Sequence, residues 1–261
     1  MPNLTLNPRL DPNAIAPLLK KFGRLHIPDI LAPADANAVA QALAGAPYAR
    51  TFLVRGKGFR ATPEAYEASP RQIRAEVETA IVHGARTGFQ YDFDNWPVSD
   101  EIEADRRLGG PVAAIEAAYD LLNSQAGLGF LRQITGDDRI AYVDAQATRY
   151  RAGQFLTAHD DELEGRNRLY AYVLNLTAGW RIEWGGLLLF HDADGHVAEG
   201  YAPRFNSLNI FRVPQWHSVS QVASYVDQSR LAITGWIRSS GPSDRLGSAP
   251  PRRARPRGAS A

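Results

Sequence analysis

The chain has 261 residues, of which 44% are hydrophobic and 22% are charged, a balance typical of one globular domain with a sizeable core. It contains no cysteine, which excludes disulfides, thiolate metal sites and a cysteine nucleophile. Its net charge of +1 does not suggest a nucleic-acid or anionic membrane partner for the chain as a whole. Any metal site must therefore use histidine and carboxylate ligands.

The first half of the chain predicts mainly helices. Apolar residues recur there at three- and four-residue spacing, and Pro, Asp, Ser or Gly mark the ends of the segments. One segment between the first two helices, residues 24–31, has the composition of a strand. The predicted helices cover residues 12–22, 36–45, 71–85, 112–125 and 127–136.

The hydrophobic period changes after Gly136. Short segments rich in β-branched and aromatic residues follow, and residues 192–195 (DADG) predict a hairpin turn. Seven or eight strands after a helical half predict an α+β fold, in which an antiparallel barrel or jelly roll carries helices on one face. The predicted strands lie in residues 140–150, 168–176, 185–190, 196–201, 207–211, 217–222 and 230–237.

The two ends of the chain are polar. Residues 1–13 lack the basic and apolar regions of a signal peptide, and no segment reaches the roughly 18 apolar residues of a membrane span. We therefore expect a cytoplasmic protein without a membrane partner. Residues 240–261 are rich in Pro, Gly, Ser and Arg and predict a disordered basic tail. We expect a solvated terminus; the alternative is an arm that binds nucleic acid, the ribosome or an acidic partner. The oligomeric state is not predicted.

Three residues of the second half are candidate metal ligands. His159 and Asp161 lie two positions apart at the edge of a predicted strand, where extended backbone would place both side chains on one face. Such a pair is common by chance, but His217 follows at the start of another predicted strand. Two histidines and one carboxylate form the facial triad of non-haem Fe(II) oxygenases. The triad leaves three adjacent positions open, two for a chelating 2-oxo acid and one for O₂.

Arg230 is the candidate partner for the distal carboxylate of 2-oxoglutarate, because a guanidinium binds a carboxylate through two hydrogen bonds. It is the first basic residue after His217, and no lysine occurs beyond Lys57. On the predicted strand, Thr234 and Trp236 share a face with Arg230. We expect Thr234 to add a hydroxyl near the carboxylate and Trp236 to floor the substrate cleft.

Five segments carry a resemblance to a known family: YRAGQFLTAHDD, RLYAYVLNLT, WGGLLLF, QWHSVSQV and SRLAITGWI. In this order they resemble the prolyl-4-hydroxylase-like 2-oxoglutarate oxygenases, nearest the ribosomal prolyl hydroxylase branch. The resemblance implies a double-stranded β-helix, Fe(II), and 2-oxoglutarate and O₂ as cosubstrates, with ascorbate as a possible further cofactor. It implies one oxygenase domain over residues 1–239, with a helical support (1–136) and a β-helix core (137–239).

The resemblance also implies an activity and further site residues. Tyr150 matches a tyrosine that reaches the cosubstrate in relatives, and Asn175 stands where many relatives have a tyrosine on 2-oxoglutarate. Either Asn175 substitutes as a donor or fewer hydroxyls hold the carboxylate. The implied reaction hydroxylates an unactivated C–H bond, with a prolyl residue of a protein or peptide as first choice. The alternatives are a hydroxylase of a free amino acid or small metabolite, and a non-catalytic metal-binding jelly roll.

Overall fold

The computed structural model describes residues 2–163 and 165–241, so the predicted tail lies outside the described residues except for its first two positions. All five predicted helices are present, and α3 and α5 are additional short helices. None of the helices in the described part is long and apolar enough to cross a lipid bilayer. The helices are α1 (Pro12–Phe22), α2 (Pro33–Ala44), α3 (Pro63–Ala68), α4 (Arg71–Thr87), α5 (Val98–Glu103), α6 (Ala113–Asn123) and α7 (Gln125–Thr135).

Local capping sets the ends of the helices. The Asp11 carboxylate accepts a hydrogen bond from the Asn13 backbone N–H at 2.9 Å before α1, and Gly23 ends that helix in the left-handed conformation. Helix α7 has the same arrangement, with Ser124 as its N-cap and Gly136 (φ 67°) at its end. These signals depend on adjacent residues only, which is why the sequence predicts both helix ends closely.

Thirteen strands within the described residues form one antiparallel sheet. Those before Gly136 are β1 (Arg24–Pro28), β2 (Ala49–Val54), β3 (Lys57–Ala61) and β4 (Tyr91–Trp96). Those after it are β5 (Tyr142–Val143), β6 (Gln146–Tyr150), β7 (Phe155–His159), β8 (Arg168–Asn175), β9 (Leu188–His191), β10 (Val197–Tyr201), β11 (Ser207–Arg212), β12 (His217–Val219) and β13 (Arg230–Arg238). The predicted DADG hairpin joins β9 and β10.

The sheet folds over on itself as a double-stranded β-helix. Its strand order is β1-β11-β8-β13-β6-β4-β7-β12-β9-β10, so two layers of strands meet at β4, which pairs with both β6 and β7. At the opposite edge, Arg24 of β1 reaches Glu199 of β10 at 2.7 Å. The two layers therefore enclose a common interior, in which the site described below lies.

The N-terminal half supplies strands as well as helices. The sequence predicted one of them, at residues 24–31, which corresponds to β1, but it did not predict β2, β3 and β4. Strands β2, β3 and β4 extend the sheet, and β4 is inserted into its centre. In β4 the residues alternate, with Tyr91 and Phe93 facing the interior while Asp92 and Asp94 face arginine side chains on the outside. Buried carboxylates in a central strand weaken the hydrophobic signal that sequence patterns depend on.

The helices cover the outer face of the larger layer. Along β8, Tyr170, Tyr172 and Leu174 belong to the main core shared with helices α2, α6 and α7, whereas Ala171 and Val173 belong to a separate cluster inside the barrel. The strand is buried on both sides for this reason. The small side chains on its inner face leave room for a cavity.

Candidate active site

The three predicted metal ligands converge at one end of β7 and β12. His159 ends β7, His217 begins β12, and the two residues are directly paired in the sheet register. The Nε2 atoms of both histidines lie 3.5 Å from Asp161, one from Oδ1 and the other from Oδ2. All three side chains are buried, and their ligand atoms lie within 4.8 Å of one another. Among the described residues they form the one cluster of this kind.

Asp161 reaches the cluster by a different route from the predicted one. Extended backbone was expected to place it on the same strand face as His159, but β7 ends at His159 and Asp161 has a left-handed conformation (φ 63°). Arg168 of β8 supports this turn, because its Nη1 donates to the Asp161 carbonyl at 2.9 Å. The two-residue spacing therefore selected two residues whose side chains do meet, but the geometric reason given for it was wrong.

The surroundings of the two histidines favour metal binding. Each Nδ1 is hydrogen-bonded to a backbone carbonyl, His159 to Thr157 at 2.9 Å and His217 to Gln215 at 2.7 Å. Such contacts orient the ring and leave Nε2 for a metal. Burial and the neighbouring His159 lower the pKa of His217 to about 4. Burial would raise the pKa of Asp161, but the two histidines hold it below its usual value.

A neutral imidazole at His217 and an ionised carboxylate at Asp161 are the states that a metal requires. Two nitrogens and one oxygen suit Fe(II), and binding on one side leaves adjacent positions open. Metal–nitrogen bonds of about 2.1 Å place adjacent ligand atoms about 3 Å apart. The observed 3.5 Å separations require only a small closure around an ion.

Arg230 is buried inside the barrel without an acidic partner among the described residues. It is 2% exposed, its Nε has no hydrogen-bond partner there, and burial lowers its pKa. Its guanidinium carbon lies 5.1 Å from the ring centre of Tyr150, and burial raises the pKa of that phenol. Both residues line a cavity of about 400 Å³ that also contains the three candidate ligands. A buried cation without a counter-ion is costly, which indicates a site for an anion.

Two glycines and a tryptophan close the end of the barrel at Arg230. A Cβ atom on Gly186 would lie 3.2 Å from Arg230 Cδ and 3.3 Å from Trp180 Cζ2. A Cβ on Gly185 would lie only 2.0 Å from the Gln221 carbonyl oxygen, and both glycines have positive φ. The Gly pair is therefore required for the chain to pass this closely beneath the arginine.

Thr234 and Trp236 lie on the inner face of β13, as predicted, and both line the cavity. Thr234 lies four positions beyond Arg230, however, so the two Cα atoms are about 13 Å apart along the strand. Thr234 therefore lies toward the opposite end of the cavity from the arginine, and we do not retain its expected role beside the carboxylate. Trp236 lies under Arg168, whose guanidinium carbon is 3.5 Å from the ring centre.

Asn175 is fully buried on the inner face of β8, opposite Ala232 in the register. It does not appear among the described residues that line the cavity. Its Nδ2 makes only long contacts of 3.4 Å, with the Val173 carbonyl and Ser207 Oγ, and its Oδ1 has no partner among the described residues. A direct contact between Asn175 and a cosubstrate thus requires a rearrangement of this side chain.

Sequence patterns missed one whole wall of the cavity. Phe89, Tyr91 and Phe93 form an aromatic series from the metal cluster to the arginine. Phe89 lies 5.5 Å from the His159 ring, and Phe93 stacks on Tyr150 at 5.1 Å with an interplanar angle of 16°. The alternation in YDFDNW is a strand signal that would have revealed this wall.

A polar group of residues at the other end of the cavity was also missed. Asp144 accepts the Trp236 backbone N–H at 2.8 Å and lies 3.8 Å from Arg238. Burial raises the pKa of Asp144 to about 6. Trp236 Nε1 and Arg238 Nη2 are buried donors without a hydrogen-bond partner among the described residues. The cavity is therefore aromatic on one side and offers hydrogen-bond donors on the other.

Comparison with known sequences places the site within a family. Residues 145–238 match the family model of the 2OG-Fe(II) oxygenase superfamily, and this segment contains the triad and Arg230. Prolyl 3-hydroxylase OGFOD1 of Mus musculus is 36% identical over 115 residues, which cover 41% of this chain and 21% of that protein. The chain thus spans about a fifth of the length of the curated relatives that it matches.

Solved structures show the same fold. A 2OG-Fe(II) oxygenase family oxidoreductase from Burkholderia pseudomallei has a TM-score of 0.61 at 14% identity, covering 92% of this chain and 96% of that chain. A prolyl hydroxylase from Trichoplax adhaerens, in complex with a hypoxia inducible factor peptide fragment, has a TM-score of 0.56 at 16% identity, covering 87% and 89%. The fold is therefore a double-stranded β-helix, and the part of it that holds the triad and Arg230 matches the 2OG-Fe(II) oxygenase superfamily.

Proposed function

We propose that this chain is an Fe(II)- and 2-oxoglutarate-dependent dioxygenase that hydroxylates a prolyl residue of a protein or peptide. The observation that carries the proposal is the buried guanidinium of Arg230, which has no acidic partner in the described part of the chain and lies in the same cavity as a His–Asp–His cluster. Because an unpaired buried charge is unfavourable, the site is complete only with an anionic ligand. A 2-oxo acid with a second carboxylate satisfies the arginine and the open metal positions together.

Each residue has a defined task in this proposal. His159, Asp161 and His217 would hold Fe(II), and Arg230 binds the distal carboxylate of 2-oxoglutarate through its two terminal nitrogens. Tyr150 packs against the guanidinium and lines the cavity beside it, where its hydroxyl can reach the cosubstrate. Bound Fe(II), with 2-oxoglutarate and O₂, supplies the oxidant that hydroxylates a C–H bond and releases succinate and CO₂.

The cavity suits a peptide segment that contains proline. Phe89 and Tyr91 provide an apolar wall near the metal cluster that would pack against a pyrrolidine ring and exclude water. On the other side, Trp236 Nε1 and Arg238 Nη2 are donors that lack acceptors among the described residues. Both atoms are buried, so backbone carbonyls of an extended peptide would accept hydrogen bonds from them only after a rearrangement of these side chains.

The relatives support the same class of substrate. The mouse protein is named as a prolyl 3-hydroxylase, and the Trichoplax prolyl hydroxylase is in complex with a peptide fragment. Neither name determines which carbon of the ring is hydroxylated here. We include both C3 and C4 products in the test below.

The cosubstrate assignment is tested anaerobically. Addition of Fe(II) and then 2-oxoglutarate should produce the visible charge-transfer absorption of a chelated 2-oxo acid. Asp161→Ala should abolish the band because a metal ligand is lost, whereas Arg230→Ala should shift its appearance to much higher 2-oxoglutarate concentrations. Absence of the band in the wild type, together with no succinate formation in air, would refute the oxygenase proposal.

The substrate is tested by proteomics in the source organism. Mass spectrometry should identify a prolyl peptide that carries one added oxygen in the wild type and lacks it in a strain without the gene. Adding the purified enzyme with Fe(II) and 2-oxoglutarate to the mutant extract should restore the oxygen. Amino-acid analysis of the hydrolysed peptide against 3- and 4-hydroxyproline standards assigns C3 or C4. A change confined to a free amino acid or small metabolite would replace the peptidyl proposal with that alternative.

A further inference from the structure

The outer face of β4 carries a carboxylate cluster behind the cosubstrate site. Asp94 is 1% exposed and accepts hydrogen bonds from three side chains. Arg149 donates through Nε at 2.9 Å, Arg151 through Nε at 2.8 Å and Nη2 at 3.1 Å, and Gln154 through Nε2 at 3.0 Å. The buried Asp94 carboxylate therefore links Arg149 in β6, Arg151 directly after β6 and Gln154 in the turn that follows.

Two of the side chains that donate to Asp94 flank Tyr150 in the chain. Arg149 and Arg151 are the immediate neighbours of Tyr150, and in a strand neighbouring side chains point to opposite faces. Holding both arginines on the outer face directs Tyr150 into the barrel, where it contacts Arg230. Strand β4 also supplies Phe93, which stacks on the Tyr150 ring. Two contacts thus fix the position of Tyr150. Asp94 binds its two neighbours in the chain, and Phe93 packs against its ring.

The same cluster extends to the closed end of the barrel. The Gln154 side chain accepts the Arg151 backbone N–H at 2.8 Å, and the Gln154 carbonyl accepts the Val222 N–H at 3.1 Å. A Cβ atom on Gly186 would lie 3.3 Å from Val222 Cγ2 and 3.2 Å from Arg230 Cδ. The turn that Asp94 binds is therefore hydrogen-bonded to Val222, which packs beside Gly186 under Arg230.

We propose that Asp94 is a positioning residue for the cosubstrate: its contacts with Arg149, Arg151 and Gln154 set the place of Tyr150 and thereby of the Arg230 guanidinium. This inference rests on the proposed function, because it assigns Arg230 to 2-oxoglutarate. Asp94 itself does not line the cavity among the described residues, so its effect on binding is indirect. Groups that orient a binding residue commonly change affinity by about 10- to 100-fold when removed.

The chain offers a matched control on the same strand. Asp92 lies two residues away on the same outer face, is 6% exposed and accepts two hydrogen bonds from Arg50 at 2.7 Å. Arg50 belongs to β2 and also binds Glu78 of α4, so this second carboxylate does not contact the neighbours of Tyr150. Asp92→Asn should cost stability as Asp94→Asn does, without the same effect on the cosubstrate.

The test measures 2-oxoglutarate binding to the Fe(II) protein under anaerobic conditions, by titration of the charge-transfer band, together with the thermal midpoint of each variant. We expect Asp94→Asn to raise the 2-oxoglutarate Kd by about tenfold and Asp92→Asn by less than threefold, at similar losses of thermal stability. Arg151→Gln, whose side chain is 52% exposed, should fold normally and raise the Kd about threefold by removing one of the contacts.

Equal Kd values for Asp94→Asn and Asp92→Asn would overturn the inference while leaving the proposed function intact. If Asp94→Asn does not fold, an unchanged Kd in Arg151→Gln overturns it instead. A wild-type protein that binds no 2-oxoglutarate would refute the proposed function, and the positioning role with it.

Discussion

Replacing Arg230 with methionine should have opposite effects on stability and on cosubstrate binding. The guanidinium is 2% exposed and has no carboxylate partner among the described residues, so the ligand-free protein carries the cost of a buried charge. Methionine keeps the aliphatic part of the side chain that packs near Gly186. We therefore expect the metal-free variant to be as stable as the wild type or more stable, by about 1 kcal/mol.

The affinity of Arg230→Met for 2-oxoglutarate should decrease. Removing one partner of a buried charge pair costs about 3 kcal/mol, which corresponds to a roughly 100-fold increase in the 2-oxoglutarate Kd. A ligand at 100 times its Kd stabilises the native state by about 2.7 kcal/mol. At about 100 times the wild-type Kd, 2-oxoglutarate should thus raise the thermal midpoint of the wild-type Fe(II) protein by several degrees. At the same concentration the ligand is only near the Kd of Arg230→Met and adds about 0.4 kcal/mol, so the midpoint of the variant should hardly change.

Arg238 provides the control, since it lies on the same strand and is also 2% exposed. Its Nε donates to the Arg166 carbonyl at 2.9 Å, and it lies near Asp144. Arg238→Met should therefore lose about 2 kcal/mol of stability and keep its affinity for 2-oxoglutarate. Differential scanning fluorimetry with and without the ligand measures both effects. An Arg230→Met variant that is clearly destabilised yet binds 2-oxoglutarate normally would show that Arg230 is a structural residue.

Two further variants test the surroundings of the site. Gly186→Ala places a methyl group 3.2 Å from Arg230 Cδ at a φ of +63°. We expect a loss of about 1–2 kcal/mol in the free energy of unfolding measured by urea denaturation, and a KM for 2-oxoglutarate about tenfold higher. An unchanged KM would show that Gly186 does not set the position of Arg230. Asp144→Asn keeps the acceptor for the Trp236 N–H but removes a carboxyl group whose pKa burial raises to about 6. Because the folded state holds this proton between about pH 4 and pH 6 and the unfolded chain releases it, the ionised group lowers stability above about pH 6. The variant should be more stable than the wild type by about 3 kcal/mol at pH 8 and nearly equal to it at pH 4, and an equal difference at both pH values would be inconsistent with the charge argument.

The sequence by itself identified those features that depend on neighbouring residues or on residue chemistry. Helix α1 was predicted to its last residue because Asp11 and Gly23 act within one turn. His159, Asp161 and His217 were predicted because a histidine and an aspartate two positions apart are followed by a second histidine at the start of a later predicted strand, and the structure brings the three side chains together. Arg230 was predicted because it is the first basic residue after His217 and no lysine follows Lys57.

Only the tertiary structure decided how these residues meet and what surrounds them. The left-handed turn at Asp161 depends on Arg168 from the next strand, a contact between residues on different elements. The distance of Thr234 from Arg230 follows from the rise of a strand across the cavity, and not from the face that the two share. Strand β4 was missed because its carboxylates are neutralised by arginines that lie more than 40 residues away in sequence, such as Arg50 and Arg149. The alternation in YDFDNW indicates a strand, but the arginines that pair with its carboxylates lie on other elements. The contribution of β4 to the cosubstrate site is therefore seen only once the chain is folded.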